Sequence, residues 1–174
     1  MDAKDRLNAL EVALNNEMRE REFYLKHAGR TKNPLGKAMF QRIGDDELEH
    51  YERLRQLHQM WEKAEKWPET VPLKVQNTIV KDILAGFIKK IDELPKGDTD
   101  DLAAVRTAID FEMKGSKFYA ELRDNVSDPR EKQFFELLSR IENEHYLSLK
   151  DTEEYLTDPA SWYRKMEHHT FDGQ

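Results

Sequence analysis

The chain has 174 residues, 38% hydrophobic and 36% charged, with 28 basic against 35 acidic side chains and a formal net charge of −7. A charged share well above the usual ~25%, tilted toward acid, argues against a nucleic-acid or anionic-membrane partner. Zero cysteines exclude disulfides, zinc–thiolate sites, iron–sulfur clusters and thiol nucleophiles within this chain. No run is apolar enough to span a bilayer, and MDAKDRLNAL does not read as a signal peptide, so cytoplasmic residence is expected.

Seven glycines and six prolines are few for this length and favour long helices. The first helical pattern runs from about Asp5 to His27, with Leu7, Leu10, Leu14, Glu17, Tyr24 and Ala28 spaced by threes and fours. Pro34 ends it, because proline disfavours helix in the residue before it. A second pattern, from about Leu35 to Trp61, aligns Met39, Ile43, Glu47, His50, Leu54, Leu57 and Trp61.

The crossover that follows, about residues 62–98, is far longer than the ~2–8 residues that join adjacent antiparallel helices. Ile79, Ile83, Leu84, Phe87, Ile88 and Ile91 predict a helix within it. The third long pattern starts after Gly97-Asp98-Thr99-Asp100, whose side chains suit a helix cap. It aligns Leu102, Val105, Ile109, Glu112, Gly115 or Ser116, Tyr119 and Leu122, and ends near Asp128-Pro129. The fourth, from about Arg130 to Leu156, aligns Phe135, Leu138, Glu142, His145, Leu149, Thr152 and Leu156. Residues 158–174 read as a short capping helix packed through Trp162 and Tyr163, leaving a domain over residues 1–157.

The chain repeats itself at an offset of 95 residues without a gap. This offset carries Ala13 onto Ala108, Glu17 onto Glu112, Phe23-Tyr24 onto Phe118-Tyr119 and Pro34 onto Pro129. It also carries Phe40 onto Phe135, Glu47 onto Glu142, His50 onto His145 and Leu54 onto Leu149. Two helical hairpins of common origin should pack about a pseudo-twofold axis and bring Glu17, Glu47, His50, Glu112, Glu142 and His145 to one level of the core. The expected fold is all-α, a four-helix bundle of two duplicated hairpins joined by a long crossover.

A lone Glu-x-x-His is a weak signal in a glutamate-rich chain and most simply marks a solvated face. Here each copy lies on an otherwise apolar stripe, with a further Glu thirty residues upstream in both. Four buried carboxylates raise one another's pKa unless compensated, and two divalent cations supply equal opposite charge. Oxygen and imidazole donors suit iron or manganese better than the sulfur-seeking metals. One Glu from each of two helices and Glu-x-x-His from each of the others is the ligand plan of ferritin-like di-iron carboxylate bundles.

At these residues the chain resembles the rubrerythrin branch of the ferritin-like superfamily, over about residues 5–157. The resemblance implies a dinuclear iron centre that reacts with peroxide or dioxygen. Rubrerythrins usually carry a cysteine-bearing rubredoxin domain, which this cysteine-free chain cannot supply, so a separate electron donor such as rubredoxin is expected. They also carry a carboxylate one turn after the third-helix ligand, where this chain has Gly115, the repeat-mate of Glu20. Glu20 either replaces that carboxylate from the opposite hairpin or faces solvent beside Arg19 and Arg21.

Tyr24 and Tyr119 lie two turns after Glu17 and Glu112, and so on the ligand face. They either bond a ligand or donate an electron near the metals, or are core aromatics. Glu49 and Glu144 should turn off the ligand face, and His27, His58, His168 and His169 have no repeat partners. Peroxide reduction leads; ferroxidase or iron handling, oxygenation of an organic substrate, and a metal-free helical adaptor are the alternatives. Related bundles commonly dimerise, so a homodimer is expected.

Overall fold

The computed structural model describes residues 1–64, 76–88 and 97–171, with side chains described to 87 in the second stretch and to 165 in the last. Among them are six helices and no strand: α1 (Ala3–Arg30), α2 (Pro34–Ala64), α3 (Val80–Ile88), α4 (Thr99–Asn125), α5 (Pro129–Thr157) and α6 (Pro159–Phe171). The four long helices match the expected patterns, each running a few residues further at one or both ends.

The two hairpin turns use one design at repeat-related positions. Asn33 Oδ1 accepts from the Gly36 amide at 3.1 Å, ahead of Pro34 at the start of α2. Asp128 caps α5 by accepting from the Arg130 amide at 2.8 Å, ahead of Pro129. Proline fits the first helical position because that amide has no acceptor in the helix. Asp98 and Asp101 form a reciprocal capping box that starts α4.

α1 packs on α2 and α4 on α5, and the hairpins meet through α1–α4 and α2–α5. The apolar core divides into two clusters. One includes Tyr24, Phe40, Ile43, Ala108 and Leu149; the other includes Ala13, Leu54, Tyr119, Phe135 and Leu138. The offset of 95 exchanges these named residues between the two clusters. A twofold crossing the bundle between them is the symmetry that does so, and the Glu–His layer lies where it crosses.

The crossover helix packs Ile83, Leu84 and Phe87 inward as expected and departs from the sequence reading only at its start. Val80 and Leu84 are buried and Ile83 and Phe87 partly so, whereas Ile79 is 47% exposed. Thr78 forces this, because its hydroxyl turns inward to donate to Asp46 at 2.5 Å. The expected places of Ile88 and Ile91 lie outside the described residues. In α6 Trp162 is buried edge-on against Tyr155, but Tyr163 is 38% exposed, so the cap packs through one aromatic and not two. Adjacent helical residues point about 100° apart, and a single-sided helix buries only one of them.

Gly97 closes the crossover against the end of α5. Its amide donates to the Leu156 carbonyl at 3.3 Å, and a Cβ there would lie 2.9 Å from the Leu156 Cβ. Since that atom is fixed to its backbone, Gly97→Ala is expected to cost about 1–3 kcal/mol. Thermal unfolding should read this as a fall of about 2–12 °C in Tm.

Candidate metal centre

Each long helix contributes to a single polar layer. α1 supplies Glu17, Glu20 and Tyr24; α2 supplies Asp46, Glu47 and His50; α4 supplies Glu112 and Tyr119; α5 supplies Glu142 and His145. The three-residue step from Glu to His places both on one face of α2 and again of α5. All six expected ligands are brought together. Glu47, His50, Glu112 and His145 are 0% exposed, Glu142 1% and Glu17 2%, so water cannot compensate their charge.

The donors form two overlapping tetrads. Glu17, Glu47, His50 and Glu142 each offer one atom within 4.8 Å of the others, and so do Glu47, Glu112, Glu142 and His145. Glu47 and Glu142 belong to both. His50 Nδ1 lies 3.1 Å from Glu142, 3.3 Å from Glu17 and 3.4 Å from Glu47. His145 Nδ1 lies 3.2 Å from Glu112 and 3.5 Å from Glu47.

Whether this donor set fits a pair of cations is decided by the atoms left over. Both carboxylate oxygens of Glu47 and both of Glu142 are buried without a hydrogen-bond partner. A buried carboxylate in that state is costly, and a pair of cations held by the two tetrads would supply these oxygens with partners. The outer carboxylates are already braced. Tyr24 donates to Glu112 across the bundle, and Tyr119 donates to Glu17 in the mirrored contact. Both tyrosines therefore touch expected ligands, and both are fully buried at the edges of the apolar clusters.

The electrostatics show a layer that is strained when metal-free. Burial, with Glu47 beside it, pushes the Glu17 carboxyl up to about 8. Burial and the charges of Glu47 and Glu112 raise Glu142. Burial also works to raise Glu47, but the neighbouring Glu17 carboxyl and the two imidazoles outweigh it and hold Glu47 below the usual range. Burial by itself would lower the imidazoles, yet the carboxylates around them raise both His50 and His145 well above 6.5. Protons thus occupy the layer in the metal-free protein where cations would otherwise go.

Glu20 is 7% exposed and faces inward, not toward solvent beside Arg19 and Arg21. Burial pushes its carboxyl up to about 10, followed by the charges of Glu47, Glu112 and Glu17. At its repeat-mate Gly115 an added Cβ would lie 3.2 Å from Glu142 Oε2. The twofold therefore sets Glu20 beside Glu47 as it sets Gly115 beside Glu142, and one of the two mirrored places holds an additional carboxyl.

Glu49 and Glu144 turn off the ligand face, as expected. Glu49 accepts from the Gln76 amide at 3.3 Å, and Glu144 lies 3.9 Å from Lys81, so the pair pins the strand of chain leading into α3. His27 packs on Phe23, and His58 lies 3.6 Å from Glu11. The side chains of His168 and His169 are outside the described residues. Asp46 is the residue that sequence reasoning missed. It is buried behind His145, with Oδ2 2.9 Å from Nε2, and pairs with Arg42. Burial raises its carboxyl, but the bonds from His145 and Thr78 and the Arg42 charge prevail and lower it. Its only sequence signal is an acid preceding Glu47 where the other repeat has Ile141 before Glu142.

A four-helix bundle of two like hairpins, with a buried carboxylate–imidazole layer at its centre, defines a ferritin-like protein with a place for a pair of cations. The chain belongs to the rubrerythrin family, whose model matches residues 8–153 and so spans the whole layer. Members of that family bind a di-iron centre, and the buried tetrads are groups able to hold one. Neither the curated proteins nor the solved structures gave a match. No helix among the described residues is long and apolar enough to cross a membrane.

Proposed function

We propose that the chain is a non-haem di-iron oxidoreductase of rubrerythrin type, which reduces hydrogen peroxide to water with electrons from a separate carrier protein such as rubredoxin. The observation that carries this reading is the pair of overlapping tetrads, in which the oxygens of Glu47 and Glu142 are buried and without partners. Reduction of one peroxide takes up two electrons and two protons and releases two waters. Bound iron supplies the two electrons, and the carrier restores them.

The side chains divide the remaining work. Glu47 and Glu142, which belong to both tetrads, would hold both metal ions, Glu17 with His50 one of them and Glu112 with His145 the other. The Tyr24 and Tyr119 hydroxyls hold the outer carboxylates in place through their hydrogen bonds. The apolar clusters on either side keep bulk water out, which strengthens every charge interaction in the layer. Glu20 takes the part of the carboxylate that relatives carry at the position of Gly115, lying beside Glu47 from the opposite hairpin. Glu20→Gln should leave two irons bound per chain but slow peroxide turnover by roughly 10–100-fold, the scale of effects from groups just outside the ligands. Iron content and stopped-flow rates measured on the same sample check this.

Anaerobic loading with ferrous iron, followed by parallel optical traces after adding peroxide or air, tests the reaction. Peroxide should oxidise the centre faster than air does. Oxidation by air at an equal or higher rate rejects peroxide reduction in favour of iron handling or oxygenation.

A further inference from the structure

We propose that the two cation positions are unequal, and that Asp46 is a positioning residue that makes the Glu112–His145 position the tighter of the two. This rests on the reading that the tetrads hold two cations. The repeat would make the positions alike, so any inequality must come from residues that break the repeat.

Asp46 breaks it most directly. Its Oδ2 lies 2.9 Å from His145 Nε2 and accepts from the Thr78 hydroxyl at 2.5 Å, while Arg42 pairs with the other oxygen. An acceptor already engaged by a hydroxyl donor and a guanidinium sets the His145 proton on Nε2. The Nδ1 lone pair is then free and aimed at the site, 3.2 Å from Glu112. An imidazole fixed in this way is a better oriented and more basic ligand.

His50 has no such support. Its Nδ1 faces the carboxylates, but its Nε2 is buried without a hydrogen-bond partner among the described residues. The repeat-mate of Asp46 is Ile141, 1% exposed and part of an apolar cluster, and the mate of Arg42 is Leu137. Thr78 belongs to the crossover, which occurs once in the chain and can back only one half of a twofold site. A neutral, unbacked imidazole can carry its proton on either nitrogen, and the share with the proton on Nδ1 cannot bind.

Crystals of the protein soaked with one equivalent of Mn2+ and measured for anomalous scattering test this without reference to turnover. The wild type should show occupancy beside His145 exceeding that beside His50 by ~10-fold or more. Asp46→Ile, which puts behind His145 the same residue that the repeat places at Ile141, should bring the occupancies closer together. Asp46→Asn keeps an acceptor for His145 and should retain part of the difference. Thr78→Val, which leaves the bundle core intact, should narrow it in the same direction even if Asp46→Ile fails to fold. Equal occupancies in the wild type, or an unchanged ratio in Asp46→Ile or Thr78→Val, would overturn the proposal. Two peaks failing to appear at saturating Mn2+ would instead overturn the two-cation reading beneath it.

Discussion

Replacing Glu142 with Leu is expected to move metal content and metal-free stability in opposite directions. Glu142 belongs to both tetrads, so its loss should lower bound iron from two per chain to one or none, measured by elemental analysis after anaerobic loading. In the metal-free chain the same carboxylate is 1% exposed, and neither of its oxygens has a hydrogen-bond partner. Removing a group in that condition relieves a penalty of about 1–3 kcal/mol. The metal-free variant should therefore melt about 2–12 °C higher than metal-free wild type. Glu47→Leu should lower metal content in the same way, with a smaller gain in stability. Its carboxylate is held in the charged form by both imidazoles and Glu17, and those lose a partner. A structural ion network predicts the reverse for both variants: lower stability and no coupled change in metal.

Removal of metal should expose a stability that falls with rising pH. Glu17 and Glu20 have carboxyls raised from 4.5 to about 8 and about 10, so the folded metal-free chain keeps protons that the unfolded chain has released. Stability then declines as pH rises from about 4.5 through 8 for Glu17 and on toward 10 for Glu20. His50 and His145 act in the same direction. Their contribution is complete below 6.5 and is lost as pH rises through their elevated folded values. Glu47 has the opposite sign, but its contribution is lost only on acidification below 4.5, outside this window. Metal-free Tm should thus drop steadily from pH 6 to pH 9. Cations replace the protons, so binding tightens over the same range and the loaded protein should show a flatter profile. At a free metal concentration a thousandfold above Kd, each site adds about 4 kcal/mol. That corresponds to a rise of about 8–16 °C per site. Calorimetric scans of chelated and loaded protein at several pH values measure both effects.

Duplication explains why the centre could be read from residues alone. Any one Glu-x-x-His is ambiguous, but a second copy at a fixed offset with its upstream Glu in register is not, and the apolar stripes on either side state its depth. Residues outside the repeat carry no such reinforcement. Asp46 gives no periodic signal because its mate is Ile141, and its partners His145 and Thr78 come from distant segments. Glu20, set between Arg19 and Arg21, reads locally as a solvated turn; only the folded layer, with Glu47, Glu112 and Glu17 around it, makes its place a buried one. Ile79 is exposed just ahead of α3 for a similar reason: the inward place beside it goes to Thr78, whose hydroxyl bonds a buried carboxylate from a distant segment.

Diffraction at the iron absorption edge, from crystals loaded anaerobically with excess ferrous iron, tests the centre itself most directly. Two anomalous peaks about 3.5–4 Å apart should appear inside the bundle, between the Glu47 and Glu142 carboxylates. A single peak, peaks confined to the surface, or six side chains that meet around no metal would contradict the account.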